Sequence, residues 1–97
     1  MYARTTTIEA HRIDEAVDQV KSSVLPLLDE QEGFKGFTLH VDRSGGKLVG
    51  TSYWESREAM EASEDAVKGP REQAAERGGV SGETVVEHFE VVIDTMA

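Results

Sequence analysis

The sequence predicts an α+β fold of the ferredoxin-like class, with the element order strand, helix, strand, strand, helix, strand (βαββαβ). Four segments rich in β-branched or aromatic residues are typical of strands, and two segments repeat apolar residues at helical spacing. The 97 residues contain no internal linker, which favours one domain over residues 1–97. We therefore expect an antiparallel four-stranded sheet with both helices on one face.

The first half of the chain predicts a strand followed by a long helix. Residues 2–9, YARTTTIE, contain several β-branched residues and neither glycine nor proline. Apolar residues then recur at the spacing of one helical face, and they are Ile13, Val17, Val20, Val24, Leu27 and Leu28. Pro26 cannot donate a hydrogen bond to the carbonyl of Ser22, so we expect a kink or a break there.

The middle of the chain predicts a β-hairpin, with strands at residues 34–42 and 47–55 around the turn RSGG. Residues opposite each other in an antiparallel pair share a face, and an even number of turn residues places Phe37, Leu39 and Val41 opposite members of the second strand that include Leu48, Gly50 and Ser52. One face then carries Phe37, Leu39, Val41, Leu48, Gly50, Ser52 and Trp54, and the other carries Thr38, His40, Asp42, Val49, Thr51 and Tyr53. This parity places Trp54, the only tryptophan, on the side that the helices cover.

The second helix is predicted to begin after Ser56, a suitable N-cap, and to end at KGP, residues 68–70. Its apolar side consists of Ala59, Met60, Ala62, Ala66 and Val67. The remaining segments predicted are a short helical extension, a loop and the last strand, at residues 71–77, 78–82 and 83–94. In the usual sheet order for this fold, 4-1-3-2, the first and third strands are central.

The face of the sheet without helices is predicted to be partly apolar. The residues assigned to it are Tyr2, Val49, Tyr53, Val86 and Val92. Two such sheets packed face to face would bury these side chains, so we expect a homodimer through the sheet face opposite the helices.

Composition excludes several classes of function. A formal net charge of -9 with scattered basic residues argues against nucleic-acid binding. The sequence contains no apolar run long enough for a membrane span and no secretory leader pattern, so we expect no membrane insertion and a cytoplasmic location. The absence of cysteine excludes disulfides, thiolate metal sites and cysteine nucleophiles.

The histidines and the clustered carboxylates do not predict a reactive site. His40 and His88 fall on the two edge strands, about three strand spacings of ~4.8 Å apart, so one protomer cannot bring both to one metal ion. A cluster of acidic residues on the second helix has the spacing of a solvated face; it comprises Glu58, Glu61, Glu64 and Asp65. We therefore predict no metal site.

The stretch EGFKGFTLHVDRSGGKLVGTSYWESREAM resembles the antibiotic biosynthesis monooxygenase-like family of dimeric α/β barrels. The likeness consists of a glycine-bounded aromatic strand, a hairpin, a strand ending in Trp54 and a helix start at ESREAM, and it extends over nearly the whole chain. The resemblance implies a pocket between the sheet and the helices of one protomer. Some members of the family oxygenate aromatic compounds with molecular oxygen and no cofactor, whereas others degrade heme.

The resemblance implies a cofactor-independent monooxygenase acting on a small aromatic or quinone-like compound. Heme-degrading relatives use a first-strand asparagine and a second-helix histidine, but this sequence has Ala3 or Arg4 at the first position and no histidine in residues 56–77. The candidate pocket residues are Trp54, Ser52, Gly50, Phe37, Leu39, Met60, Arg4 and Arg71. The alternative is a non-catalytic dimeric scaffold or small-ligand-binding protein in which Trp54 belongs to the core.

Overall fold

A computed structural model describes residues 1–79 and 82–96, and within these ranges the predicted element order is confirmed. The strands are β1 (Tyr2–Glu9), β2 (Phe34–Asp42), β3 (Lys47–Trp54) and β4 (Val85–Glu90). The first helical region consists of α1 (Ile13–Gln19), a π-helical turn (Val20–Val24) and α2 (Leu25–Asp29). The second consists of α3 (Arg57–Ala62) and α4 (Glu64–Arg77).

The four strands form one antiparallel sheet in the order β2-β3-β1-β4, which is the predicted order read from the other edge. Both helical regions pack on the same face of this sheet, which we call the helix side; we call the other the open side. The architecture is therefore the α+β ferredoxin-like fold that the sequence predicts.

The β2–β3 hairpin has the even turn on which the assignment of faces depended. Asp42 pairs with Lys47, so the turn holds four residues, 43–46. The Asp42 carboxylate accepts hydrogen bonds from the Gly45 amide and the Ser44 hydroxyl, each at 3.0 Å, and these bonds lower its pKa. Trp54 consequently lies on the helix side, as predicted. A bulge at the start of β2 affects only the pairing between Phe34 and Gly36.

Two residues assigned to the open side lie on the helix side instead. Tyr2 is opposite Trp54 in the β1–β3 pair, and residues opposite each other share a face. Val86 is opposite Thr6, which itself is opposite Gly50, so Val86 also lies on the helix side. The prediction was wrong for both because the local sequence does not give the register of the β1–β3 and β1–β4 pairs, which join strands distant in sequence.

The second helical region breaks at Ser63 and not at KGP. Ser56 caps α3, as predicted, by accepting a hydrogen bond from the Ala59 amide at 3.1 Å. The Ser63 hydroxyl donates to the Met60 carbonyl at 2.8 Å, a local bond that competes with a regular helix. Pro70 lies inside α4. The proline removes one backbone hydrogen bond, but this loss does not outweigh the packing of the helix residues before and after it.

The first helical region changes geometry where Pro26 predicted a break. The wider π-helical turn precedes α2, and Pro26 occupies the first turn of α2, where its missing amide costs little. Val24, in the π-helical turn, is buried together with Leu28 of α2. The turn therefore continues the apolar face of α1 along the sheet.

The last strand is shorter than predicted. β4 covers six residues, Val85–Glu90, and the chain from 91 to 94 is not part of the sheet, although the Val91 amide still donates to the Met1 carbonyl at 2.9 Å. Val92 is 80% exposed and Ile93 is 81% exposed. Of the predicted loop, residues 78, 79 and 82 are described, and residues 80 and 81 lie outside the described part of the chain.

The core consists of two clusters between the sheet and the helices. Ile8, Ala16 and Leu48 belong to the first cluster. The second comprises Val24, Leu28, Trp54, Met60 and Val67. The space where the two clusters meet is incompletely filled, and this position determines the candidate site. Among the described helices, none is long and apolar enough to cross a membrane.

Candidate active site

A cavity of about 70 Å³ lies between the sheet and the helices, in contact with both core clusters. Six of the eight predicted pocket residues line it, and they are Arg4, Phe37, Leu39, Gly50, Ser52 and Arg71. The wall also contains nine residues that were not proposed: Thr6, Ile8, Ala16, Val20, Val24, Leu28, Leu48, Val67 and Ala74. Trp54 and Met60 are buried behind this wall.

Gly50 leaves room for the cavity at the centre of β3. A β-carbon at this position would come within 3.2 Å of the Phe37 ring and 3.7 Å of Leu39. Phe37 and Leu39 are half-buried and line the same cavity. Any side chain at position 50 would therefore reduce the free volume or displace the Phe37 ring.

Trp54 is fully buried, at 0% exposure, and forms the core beside the cavity. Its ring contacts Phe34 edge to face, with the ring centroids 5.5 Å apart. Its indole Nε1 donates to the Ser52 hydroxyl at 2.8 Å, and the Arg4 guanidinium carbon lies 5.3 Å from the ring centroid. Trp54 thus positions two cavity residues, Ser52 by a hydrogen bond and Arg4 by a cation–π contact.

Arg4 joins β1 to the second helical region and is only 3% exposed. Its Nη1 lies 3.1 Å from the Met60 carbonyl oxygen, 3.1 Å from Ser63 Oγ and 3.0 Å from Glu64 Oε2. Burial lowers the Arg4 pKa, and the Glu64 carboxylate offsets part of that effect. An arginine remains protonated despite such a shift, so Arg4 brings a positive charge to the cavity wall.

Glu64 bridges Arg4 and Arg71. Its Oε2 faces Arg4, and its Oε1 accepts a hydrogen bond from Arg71 Nη2 at 2.6 Å. Burial alone would raise the Glu64 pKa, but the Arg71 hydrogen bond and the charges of Arg71, Arg4 and His88 outweigh it, and the net shift is downward. The prediction that Glu64 belongs to a solvated face was therefore wrong, since its side chain is 35% exposed and pairs with both arginines.

Arg71 has a free donor beside the cavity. While Nη2 bonds Glu64, the buried Nη1 has no hydrogen-bond partner among the described residues. An unpaired buried donor costs about 1–3 kcal/mol, which a ligand oxygen would relieve. The described cavity residues include no carboxylate or imidazole, so the titratable side chains of the lining are the two arginines.

Arg4 and Arg71 were among the predicted pocket residues, but their ion pairs with Glu64 could not be found from sequence spacing. Arg4 and Glu64 are 60 positions apart, and no local pattern links them. One signal was available for Glu64 and Arg71, since a separation of seven places two residues on the same side of a helix, but the expected helix end at 68–70 removed it.

The size of the cavity limits what can bind without rearrangement. Pockets for drug-sized ligands usually measure ~300–1,000 Å³. A bicyclic aromatic compound would therefore have to displace side chains, and Phe37 and Leu39 are among the lining residues that are only half-buried.

A second depression, of about 240 Å³, lies beyond β2 near the C-terminal segment. Its lining residues are Met1, Lys35, Gly36, Phe37, Thr38, Tyr53, Asp94 and Met96. The charged residues there, Lys35 and Asp94, form none of the described ion pairs. We regard the smaller cavity as the candidate site because Arg4 and Arg71 line it and both form ion pairs with Glu64.

The described residues provide no metal centre. No group of three or more histidine, aspartate or glutamate residues among them is arranged to hold a metal ion. Action without a cofactor stays a prediction from the sequence.

Comparison with known families gives a match to the region that contains this site. A family model described as antibiotic biosynthesis monooxygenase matches residues 2–77. The Mycobacterium tuberculosis protein Rv2557, described as uncharacterized, is 41% identical over 93 residues, covering 94% of this chain and 41% of that protein. Rv2558 from the same organism, also described as uncharacterized, is 44% identical over 77 residues, covering 77% of this chain and 33% of that protein. The chain thus spans about two fifths or less of the length of these relatives.

Solved structures with the same fold include two oxygenases. The ActVA-Orf6 monooxygenase of Streptomyces coelicolor, in complex with nanaomycin D, aligns with a TM-score of 0.79 at 18% identity, covering 99% of this chain and 91% of the other. SnoaB from Streptomyces nogalater, a cofactor-independent oxygenase, aligns with a TM-score of 0.75 at 16% identity, covering 99% and 97%. At such identities the likeness establishes the shared fold.

Proposed function

The chain belongs to the antibiotic biosynthesis monooxygenase family, and from that premise we propose that it is a cofactor-independent monooxygenase of a small aromatic or quinone-like compound. The observation that carries the proposal is the free Nη1 of Arg71 beside an apolar cavity. The nanaomycin D complex and the cofactor-independent oxygenase of the same fold support it by analogy.

A phenol is the substrate class that fits this wall. The aromatic ring of a phenol would occupy the small free space beside Leu39 and Val67, and the phenol oxygen would accept a hydrogen bond from Arg71 Nη1. Because the described lining holds no carboxylate or imidazole, the phenol would lose its proton to solvent before or during binding. Arginine next to an oxyanion in a dry cavity stabilises that ionised form.

The reaction that such a phenolate supports needs no external reductant. The electron-rich ring donates electrons to molecular oxygen, a C–O bond forms at the carbon para to the phenolate oxygen, and a ring hydroperoxide results. Cleavage of the O–O bond with loss of the C–H hydrogen then gives a quinone and water. One phenol and one O₂ thus yield one quinone and one H₂O, so atoms and electrons balance. Arg71 would hold the ring oxygen during these steps.

The experiment that tests this proposal is turnover of 1,5-dihydroxynaphthalene, whose quinone product absorbs visible light. We expect quinone formation with one O₂ consumed per quinone, unaffected by a metal chelator. Arg71→Gln should lower the rate by about 10²-fold, the usual effect of removing one oxyanion donor. Arg57→Gln, on the exposed face of α3, is the matched control and should retain the wild-type rate.

The alternative is a dimeric scaffold or small-ligand-binding protein without turnover. The small cavity and the complete burial of Trp54 are the observations that favour it. Saturable binding of 1,5-dihydroxynaphthalene without oxygen consumption would support this alternative and contradict the monooxygenase.

We also propose that the chain acts as a homodimer through the open side of the sheet. Phe89 is 49% exposed and Val85 is 45% exposed on this side of β4, and they are aligned with Tyr53 and Val49 of β3 across the intervening strand β1. Pairing two sheets would remove these side chains from water. A cytoplasmic location remains a prediction from the sequence.

A further inference from the structure

Three closely spaced charges lie in the cavity wall and directly behind it. Arg4 and Arg71 contribute two positive charges, and Glu64 contributes one negative charge between them. The downward shift of the Glu64 pKa keeps this carboxylate ionised at neutral pH. The cluster therefore retains one net positive charge, most of it removed from solvent.

We propose that Glu64 sets the charge of this cavity, so that the site selects the singly ionised form of an aromatic ligand, a phenolate or a monocarboxylate. This inference rests on the proposed function, since it concerns the ligand of the same cavity, and it adds a role for a residue that does not line the wall. Glu64 acts through Arg4 and Arg71 and is therefore a positioning residue.

The geometry of Glu64 supports this role. Each of its two oxygens faces a different arginine, at 3.0 Å for Arg4 Nη1 and 2.6 Å for Arg71 Nη2. Two buried guanidinium groups repel each other, and the Arg71 charge does contribute to lowering the Arg4 pKa. Glu64 neutralises one charge and orients Arg71 so that Nη1 stays free. Without Glu64 the wall would carry two positive charges.

His88 is a further charged group near this cluster among the described residues. It lies on β4, directly opposite Arg4 on β1, and its charge contributes to the lowered Glu64 pKa. The charged and titratable groups around Glu64 thus come from three elements: Arg4 from β1, Arg71 from α4 and His88 from β4. A test that varies pH needs a variant of His88 for this reason.

The probe for the test is 4-nitrophenol, which ionises near neutral pH and whose anion has a strong visible absorbance. Its absorbance in the bound state, followed across neutral pH, reports the relative affinity of the anion and the neutral form. For the wild type we expect a bound-state pKa about one unit below the free value, which is about tenfold tighter binding of the anion.

Variants separate the charge of Glu64 from its packing. Glu64→Gln should lower the pKa of bound 4-nitrophenol by about one further unit, because the wall gains a positive charge. Glu64→Asp keeps the charge and should stay near the wild-type value even if its stability falls. Arg71→Gln should abolish most of the shift, and in a His88→Gln background the effect of Glu64→Gln should be the same as in the wild-type background.

A pair of carboxylates tests the preference for one charge. The ratio of isophthalate affinity to benzoate affinity should rise at least threefold in Glu64→Gln. In that variant the second carboxylate of isophthalate can pair with an arginine that Glu64 no longer neutralises. An unchanged ratio would overturn the proposal, as would equal pKa values of bound 4-nitrophenol in wild type and Glu64→Gln. Binding of 4-nitrophenol without any pKa shift would overturn this inference alone. Failure of all three probes to bind would contradict the aromatic-ligand function itself.

Discussion

The indole Nε1 of Trp54 donates to the Ser52 hydroxyl across 2.8 Å, and both side chains lie on the helix side of β3. Ser52 lines the cavity and Trp54 does not. The tryptophan that distinguishes this chain's sequence therefore belongs to the core and affects the site through its neighbours. This relationship predicts which substitutions change stability and which change ligand binding.

Trp54→Phe should lower the free energy of unfolding by about 2 kcal/mol, because it removes buried volume and leaves Ser52 without a donor. Chemical denaturation of wild type and variant measures this difference. Tyr53→Phe, one residue away on the open side, is the control and should change stability much less. Loss of 4-nitrophenol binding with stability retained would contradict the assignment of Trp54 to the core.

Gly50→Ala should weaken ligand binding more than it weakens the fold. The added β-carbon would meet the Phe37 ring at 3.2 Å and occupy space in the cavity. We expect a loss of affinity for 4-nitrophenol of about tenfold, equivalent to about 1.4 kcal/mol. Gly36→Ala is the matched control, since a β-carbon at that strand position meets no atom of the described residues within 4 Å. Equal affinities of the two variants would show that the ligand does not reach Gly50.

The ion pairs of Glu64 should give the protein a pH-dependent stability. The folded state lowers the Glu64 pKa, so the carboxylate contributes stability above its ordinary pKa, and this contribution disappears as the pH falls through the lowered value. Wild type should be more stable than Glu64→Gln near neutral pH, and the difference should shrink in acid. Thermal unfolding at a series of pH values measures it. A difference that grows on acidification would contradict the sign of the shift.

Phe89→Glu should convert the proposed dimer into a monomer. The substitution places a charge on the open side of β4, where a partner sheet would have to bury it. Light scattering at micromolar concentration should give twice the 10.6 kDa chain mass for the wild type and the chain mass for the variant. Ala66→Glu, an exposed position on α4, should remain dimeric. A wild-type mass equal to one chain would exclude the dimer.

The sequence predicted the fold well because its determinants are local. The even turn at residues 43–46 and the apolar alternation of the two strands were enough to place Trp54 and Ser52 on the helix side. The faces of Tyr2 and Val86 depended on the register between strands that are distant in sequence. The continuation of the helix through Pro70 depended on packing. Local sequence patterns predict neither the register nor the packing. The ion pair between Arg4 and Glu64 forms only when β1 packs against the second helical region. The contribution of this ion pair to the site could therefore not be predicted from the sequence.

The most direct test of the proposed monooxygenase is the fate of oxygen atoms during turnover of 1,5-dihydroxynaphthalene under ¹⁸O₂. Mass spectrometry of the quinone should show one ¹⁸O atom per molecule, with the second atom recovered in water, and Arg71→Gln should lose most of this product. The same label should appear in the presence of a metal chelator. A quinone without ¹⁸O, or a rate equal to that without protein, would contradict the account.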